Sequence, residues 1–211
     1  PFTLACYMIE GGGSTDFAIV RRMAHARPDL LQRIVDVNTE AVALYLGEQI
    51  AAGVDAVMIF DTWGGMLAAD KWRRFSLAPM RSVLKRLSGT ARAHVPSIVF
   101  TKGGGAWLDD LAESGADCVG VDWTVDIGAA RRRIGSRVAV QGNLDPMVLL
   151  TDPDTIANAA DAVIQAAGPL PGHIFNLGHG IVPSTPPENV AALVAAVHRH
   201  SDAPSRQSIA S

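Results

Sequence analysis

The sequence has 211 residues, 48% of them hydrophobic and 18% charged, with a formal net charge of −3 at pH 7. This composition supports one globular domain with a buried core and excludes a disordered chain, a collagen-like repeat and a coiled coil. The small negative charge argues against a broad nucleic-acid or anionic-membrane surface, and no apolar run reaches the roughly 18 residues of a membrane-spanning helix.

Helical and strand patterns alternate along the chain. A long helix is predicted over about 29–52 from apolar residues at helical spacing. Five short apolar runs, rich in β-branched residues and bounded by turn residues, are then typical of buried parallel strands. The predicted strands cover residues 56–62, 97–102, 118–124, 138–143 and 173–177. The helices predicted after them cover about 77–87, 107–113, 127–133, 153–167 and 186–200.

The junctions between these segments carry helix start and stop signals. Gly53 and Gly115 each follow a predicted helix and precede a strand, where glycine commonly ends a helix because it adopts the left-handed conformation. Residues 185–188 read Thr-Pro-Pro-Glu, the pattern of a capping box with proline at the first helical position. This pattern predicts the start of the last helix.

Strands that alternate with helices predict a parallel α/β sheet, either open and doubly wound or closed as a (β/α)8 barrel. Polar residues follow every predicted strand, which favours the barrel, because an open sheet concentrates function at one switch point. Five strands are three short of eight, so we expect the N-terminal part of a barrel to be absent. Residues 1–200 are the predicted barrel domain, and residues 201–211 are predicted to form a polar, frayed tail.

The sequence carries few signals for a cofactor or a metal. The triple glycines at 11–13 and 103–105 are not followed by Lys-Ser/Thr and fit no dinucleotide-binding fingerprint, so they are interpreted as flexible or close-packed loops. The six histidines form no cluster, and Cys6 and Cys118 lack metal-ligand spacing. We therefore expect no metal, no cofactor, no disulfide framework and a reducing compartment.

Two strand ends indicate candidate site residues. His179 lies between two glycines directly after a strand, where the backbone can turn sharply and expose the ring; an ordinary loop histidine is the alternative. Asp61 and Thr62 place a carboxylate and a hydroxyl after another strand, although Asp61 could simply cap the following turn. Lys102 and Asp122 are further candidates at the mouth. These residues alone fit many lyases and isomerases.

The same segments resemble motifs of the uroporphyrinogen decarboxylase family. They recur there in the same order: residues 1–4 with 7–14, then 60–65, 120–124, 141–146, 176–181, and finally 183 with 186–190. The resemblance extends to about residue 200 and corresponds to roughly the C-terminal three-fifths of the family's enzymes.

This resemblance implies a (β/α)8 barrel that acts in the cytoplasm without metal or organic cofactor. The intact enzyme is implied to be a homodimer. Such enzymes remove carbon dioxide from the four acetate side chains of uroporphyrinogen III and give coproporphyrinogen III in heme and tetrapyrrole biosynthesis. Protonation of the electron-rich pyrrole supplies an electron sink within the substrate itself. The implied partner is this small molecule, with no nucleic acid and no membrane.

Carried over by motif, Tyr7, Thr62 and His179 match the family's substrate-contacting tyrosine, serine-or-threonine and histidine. All three side chains can donate hydrogen bonds to carboxylates. The family's central aspartate and its arginines lie N-terminal to this sequence, so the catalytic residues stay unassigned. We therefore expect the polypeptide alone to lack activity and to associate through the strand edges at 56–62 and 173–177.

Two other functions stay open. A zinc-dependent or corrinoid-linked methyltransferase shares the barrel, but it needs His-x-Cys after one strand and a cysteine after a later one. Residues 100–103 and 176–179, at the corresponding strand ends, contain no cysteine. A catalytically inactive fragment that only associates is the other alternative. A metal assay tests the first, and decarboxylase activity together with solution mass tests the second.

Overall fold

The computed structural model describes residues 1–89 and 94–202, and this part of the chain forms a five-stranded parallel sheet. The strands are β1 (Val57–Asp61), β2 (Ser97–Thr101), β3 (Cys118–Gly120), β4 (Ala139–Leu144) and β5 (His173–Leu177). Each strand pairs with the next along the chain, so β1 and β5 are the edges of the described sheet. The predicted α/β class is confirmed, with the strand order of part of a (β/α)8 barrel.

Helices precede the sheet and connect its strands. They are α1 (Phe2–Glu10), α2 (Ala18–Ala26), α3 (Pro28–Ala52), α4 (Ala69–Trp72), α5 (Ala78–Leu87), α6 (Leu108–Ala112), α7 (Ile127–Ile134), α8 (Pro153–Ala167) and α9 (Pro187–Asp202). A π-helical segment, Arg73–Leu77, joins α4 to α5. Within the described residues, every helix is too short or too polar to cross a bilayer. The remainder of the predicted tail, residues 203–211, lies outside the described residues.

The two N-terminal helices were not predicted, because tertiary contacts stabilise them. The carboxylate of Glu10 accepts hydrogen bonds from the backbone N–H groups of Ile19 and Val20, at 2.8 and 3.0 Å, and so caps the start of α2. Glu10 is nine and ten residues away from the N–H groups that it caps, whereas capping patterns in a sequence involve residues only about three positions apart. Helix α1 ends at Gly11, whose φ of 76° is left-handed and whose N–H donates to the carbonyl of Tyr7.

Two local predictions are wrong at their boundaries. The strand predicted over 118–124 ends at Gly120, because the carboxylate of Asp122 accepts a hydrogen bond from the N–H of Thr124 at 2.8 Å and folds this segment into a turn. The predicted capping box does not form, since the buried hydroxyl of Thr185 has no hydrogen-bond partner among the described residues. In contrast, Gly53 ends α3 as predicted, with φ of 102°, whereas α6 ends at Ala112 with Glu113 as its C-cap, two residues before Gly115 with its φ of 94°.

The strands have one face against the helices and one face away from them. Val57 and Ile59 of β1 are buried in the main apolar core, which includes Trp72 and Phe75 from the helical connection after β1. Phe60, which points to the opposite face, is 60% exposed. A second core lies under α8 and α9 and consists of Leu144, Leu149, Ile156, Ala160, Leu193 and Ala196. The helix-free face is therefore the surface on which a site can form.

Candidate functional site at the strand ends

A cavity of about 350 Å³ lies on the helix-free face near the carboxyl ends of the strands. Its walls are mostly apolar, because alternate residues of β1 and β2 point to this side. It is lined by Met58, Phe60, Thr62, Phe100, Gly120, Val121, Gln141 and residues 176–180. Gly120 lies close to the Phe100 ring, and a Cβ at this position would be only 3.1 Å from that ring. The absence of a side chain at Gly120 therefore keeps this part of the cavity open. The cavity can hold a flat or apolar group beside a few polar ones.

Thr62 and His179 line this cavity together, whereas Tyr7 does not. The phenol oxygen of Tyr7 accepts a hydrogen bond from Nε1 of Trp63 at 2.9 Å. Tyr7 is therefore connected to the cavity through Trp63, the residue that follows Thr62 in the chain. The Tyr7 side chain is 41% exposed, and its hydroxyl hydrogen is free to donate to a ligand. The sequence-predicted trio therefore consists of two lining residues and one adjacent residue.

His179 is held between two aromatic rings. Its imidazole centroid lies 6.4 Å from the ring of Phe100 and 6.1 Å from that of Trp123. The preceding Gly178 packs so closely on the Trp123 backbone that a Cβ there would lie 2.3 Å from the Trp123 nitrogen. Burial, followed by the positive charge of Lys102, lowers the pKa of His179 below the usual 6.5. Both effects favour the neutral ring, in which one nitrogen donates and the other accepts.

A second cavity of about 270 Å³ adjoins the first at Thr62, which lines both. Lys102, directly after β2, lies in this second cavity between two indoles. Its Nζ is 5.6 Å from the ring centroid of Trp63 and 5.5 Å from that of Trp123. Both distances are within the range of a cation–π interaction. Sequence reasoning identified Lys102 as a mouth residue but missed the two tryptophans, whose spacing carries no motif.

Two buried carboxylates hold the loops that carry these side chains. Asp61 accepts hydrogen bonds from the hydroxyls of Ser76, Thr3 and Thr101, the last two at 3.2 and 3.4 Å, and burial raises its pKa. Asp61 therefore joins three separate segments of the chain by hydrogen bonds and is more than a cap of the following turn. Asp122 accepts from the N–H of Gly103 and from Thr124, and so fixes the loop after β2 to the loop after β3.

The two loops that follow β1 and β2 touch through their backbones. A Cβ on Gly65 would lie 1.9 Å from the carbonyl oxygen of Lys102. Gly103, with φ of 73°, faces Gly65 in the same contact. The triple glycine at 103–105 is thus close-packed, one of the two interpretations predicted for it, whereas a Cβ at Gly11, Gly12 or Gly13 would have no atom within 4 Å.

The described residues offer little to a metal ion. No group of three His, Cys, Asp or Glu side chains in residues 1–89 and 94–202 is arranged to ligate one. Cys6 and Cys118 are buried, and burial raises the pKa of each thiol to about 12. Neither thiol is therefore poised as a thiolate ligand at neutral pH.

Comparison with known proteins adds family information to this geometry. The family model described as "Uroporphyrinogen decarboxylase (URO-D)" matches residues 1–200. The uroporphyrinogen decarboxylase of Burkholderia thailandensis is 60% identical over 204 residues, and that of Paraburkholderia phytofirmans is 58% identical over 207 residues. Each alignment covers 96% of this chain and 56% of the relative, so the chain spans just over half the length of these relatives.

A solved structure supports the fold. A methyltransferase from Methanosarcina mazei superposes with a TM-score of 0.73 at 25% sequence identity, covering 85% of this chain and 52% of the methyltransferase. The likeness agrees with the assignment of the five strands to part of a barrel.

Proposed function

Because the chain belongs to the uroporphyrinogen decarboxylase family, we propose that the protein carrying it removes carbon dioxide from the four acetate side chains of uroporphyrinogen III. The product is coproporphyrinogen III, and the reaction is a step of tetrapyrrole biosynthesis. The observation that carries this proposal is the apolar cavity at the strand ends, lined by Thr62 and His179 together. It combines flat apolar walls for pyrrole rings with hydrogen-bonding groups for carboxylates.

The chemistry assigned to this site needs no cofactor. A protonated pyrrole in the substrate accepts the electron pair of the breaking carbon–carbon bond, and carbon dioxide leaves. A proton then adds to the side-chain carbon to give a methyl group, and the pyrrole loses the proton that it had gained. The work left to the protein is to orient one acetate at a time beside a fixed pyrrole. A cavity walled by Met58, Phe60 and Phe100 restricts the orientation of a tetrapyrrole in this way.

The three sequence-predicted residues receive distinct roles in this proposal. Thr62 and the neutral His179 donate hydrogen bonds to substrate carboxylates within the cavity. Tyr7 donates through the hydroxyl hydrogen that its bond from Trp63 leaves free. The family's central aspartate and its arginines are assigned to segments of the relatives beyond the 56% that this chain spans.

The location, oligomeric state and partners of the protein are also proposals. We propose a cytoplasmic homodimer whose partner is the small-molecule substrate and which binds neither nucleic acid nor membranes. The net charge of −3 supports the absence of nucleic-acid and membrane binding, because nucleic acids and anionic membranes attract basic surfaces.

A hybrid protein allows the proposal to be tested at the relatives' full length. In this hybrid, the present sequence replaces the matching 204 residues of the Burkholderia thailandensis relative. We expect His179→Ala in the hybrid to lower kcat/KM for uroporphyrinogen III by about 10- to 100-fold, which is the loss of one hydrogen bond to a charged group. Turnover with product analysis measures this effect, and the thermal melting curve shows whether the fold survives.

The matched control is His25→Ala, since His25 lies on the exposed surface of α2 and should leave turnover unchanged. If His179→Ala retains full turnover and still decarboxylates all four acetates, His179 does not belong to the site.

The ionisation of His179 gives a second prediction for the hybrid. Lys102→Met should raise the pKa of His179, because the positive charge of Lys102 disfavours the imidazolium form. An NMR titration of the imidazole signals measures the change. Lys85→Met, on the exposed side of α5, should leave the His179 pKa where it is. A His179 pKa that is the same in both variants would show that Lys102 is not close to the ring.

Methyl transfer is the second candidate, and the likeness to the methyltransferase from Methanosarcina mazei is the observation that favours it. That function would require a thiolate-rich metal site, whereas both described cysteines have raised pKa values and lie outside both cavities. Elemental analysis of the hybrid separates the two candidates, because stoichiometric zinc would support methyl transfer.

A further inference from the structure

We propose that Lys102 binds a carboxylate side chain of the substrate and anchors it in the smaller cavity beside Thr62. This inference rests on the proposed function and extends it to a residue that the family motifs do not assign. Its basis is a fixed ammonium group that has no anionic partner among residues 1–89 and 94–202 and that lies in the cavity adjoining the larger one at Thr62.

Lys102 is positioned by its backbone as well as by its side chain. Its N–H donates to the carbonyl of Asp61 at 3.3 Å, and its own carbonyl packs against Gly65. The side chain then lies between the indoles of Trp63 and Trp123, with Nζ about equally distant from the two ring centroids. Because both ends of the residue are held, the ammonium occupies a defined place and loses little conformational freedom when a ligand binds.

The ammonium has no counter-ion in the part of the chain that the structure describes. Asp122 lines the same cavity, but its carboxylate accepts hydrogen bonds from Gly103 and Thr124 and forms no salt bridge with Lys102. The other two lysines contrast with it: Lys71 pairs with Asp70, and Lys85 is exposed to solvent. None of the described residues accepts a hydrogen bond from the three ammonium N–H donors of Lys102, and such a partly buried cation is an anion-binding group.

The charge of Lys102 acts on the site itself. Thr62 lines both cavities, so an anion bound at Lys102 would be continuous with a ligand in the larger cavity. The field of Lys102 already affects His179, where it disfavours the protonated ring. Among the described residues that line the two cavities, Lys102 is the one Lys or Arg. A substrate that carries several carboxylates would place one of them there.

The carboxylate could be an acetate, which the reaction consumes, or a propionate, which it leaves in place. Two oxidised, unreactive probes distinguish these sources. Uroporphyrin carries both acetates and propionates, whereas coproporphyrin carries propionates only. Equilibrium dialysis of the hybrid protein against each porphyrin gives dissociation constants that do not depend on turnover.

We expect Lys102→Met to weaken uroporphyrin binding by about 10-fold or more, Lys102→Arg to retain affinity within about threefold, and the control Lys85→Met to change nothing. An equal loss for coproporphyrin would identify the ligand as a propionate, and a loss confined to uroporphyrin would identify an acetate. Thermal melting of each variant shows whether it is folded, and Lys102→Gln, which also removes the charge, replaces Lys102→Met if that variant does not fold.

The inference is overturned if folded Lys102→Met binds both porphyrins as tightly as the unsubstituted hybrid, even when the hybrid decarboxylates its substrate. A hybrid that binds porphyrin through Lys102 but performs no decarboxylation would instead overturn the proposed function and leave the anion site standing. A folded hybrid that binds neither porphyrin would overturn both.

Discussion

Asp61→Ala should lower the free energy of unfolding of the hybrid protein by about 3–5 kcal/mol. Three hydroxyls donate to this carboxylate, and two of them, on Ser76 and Thr101, are 1% exposed. After the substitution, these buried donors have neither the carboxylate nor water as a partner, and each unsatisfied group costs about 1–3 kcal/mol. Thr3 also loses the bond that links α1 to β1.

Equilibrium urea denaturation measures this loss. Asp61→Asn should cost less, because the amide keeps one acceptor oxygen and the volume of the side chain. Asp36→Ala is the matched control, since Asp36 is exposed on α3 and its removal should change the stability by less than about 0.5 kcal/mol. A loss below about 1 kcal/mol for Asp61→Ala would show that Asp61 does not hold this end of the sheet together.

Gly65→Ala should damage the binding site by adding a single methyl group. The new Cβ would lie 1.9 Å from the carbonyl oxygen of Lys102, and the opposing atom is backbone, so no side-chain rotation relieves the clash. The loops after β1 and β2 must then separate. We expect a loss of about 1–3 kcal/mol in stability and at least a 10-fold loss in uroporphyrin affinity, because Thr62 and Lys102 move apart.

Gly47→Ala provides the control for this substitution. Gly47 lies within α3, and a Cβ there would have no atom within 4 Å. Because alanine is the better helix former, this variant should be more stable by about 0.5–1 kcal/mol and should bind porphyrin normally. If Gly65→Ala melts and binds like the unsubstituted hybrid, the two loops are not in the contact that the structure shows.

The parts of the fold that local chemistry specifies were predictable from the sequence. The five strands are apolar and β-branched, and the helix stop at Gly53 separates β1 from α3, so each strand was located within a few residues. Helices α1 and α2 were missed because their determinants are not local. The N-terminus of α2 is capped by Glu10 from another helix, and the buried side of α1 rests on α3 and β1.

The candidate site was predictable to a smaller extent. Thr62 and His179 stand at strand ends, where a parallel sheet brings polar residues together, and the structure places both in one cavity. The role of Asp61 as a buried hydrogen-bond acceptor could not be predicted, because its donors on Ser76 and Thr101 are distant in the chain. The indoles around Lys102 likewise come from two separate loops and share no sequence pattern.

Under the proposed function, this sequence supplies one side of a site that decarboxylates uroporphyrinogen III. The most direct test is to incubate the hybrid protein with uroporphyrinogen III, without added metal or cofactor, and to separate the oxidised products by their number of carboxylates. We predict that all four acetates are converted and that coproporphyrinogen III accumulates. A folded hybrid that binds uroporphyrin but releases no carbon dioxide, and forms no product with fewer carboxylates, would contradict the claim.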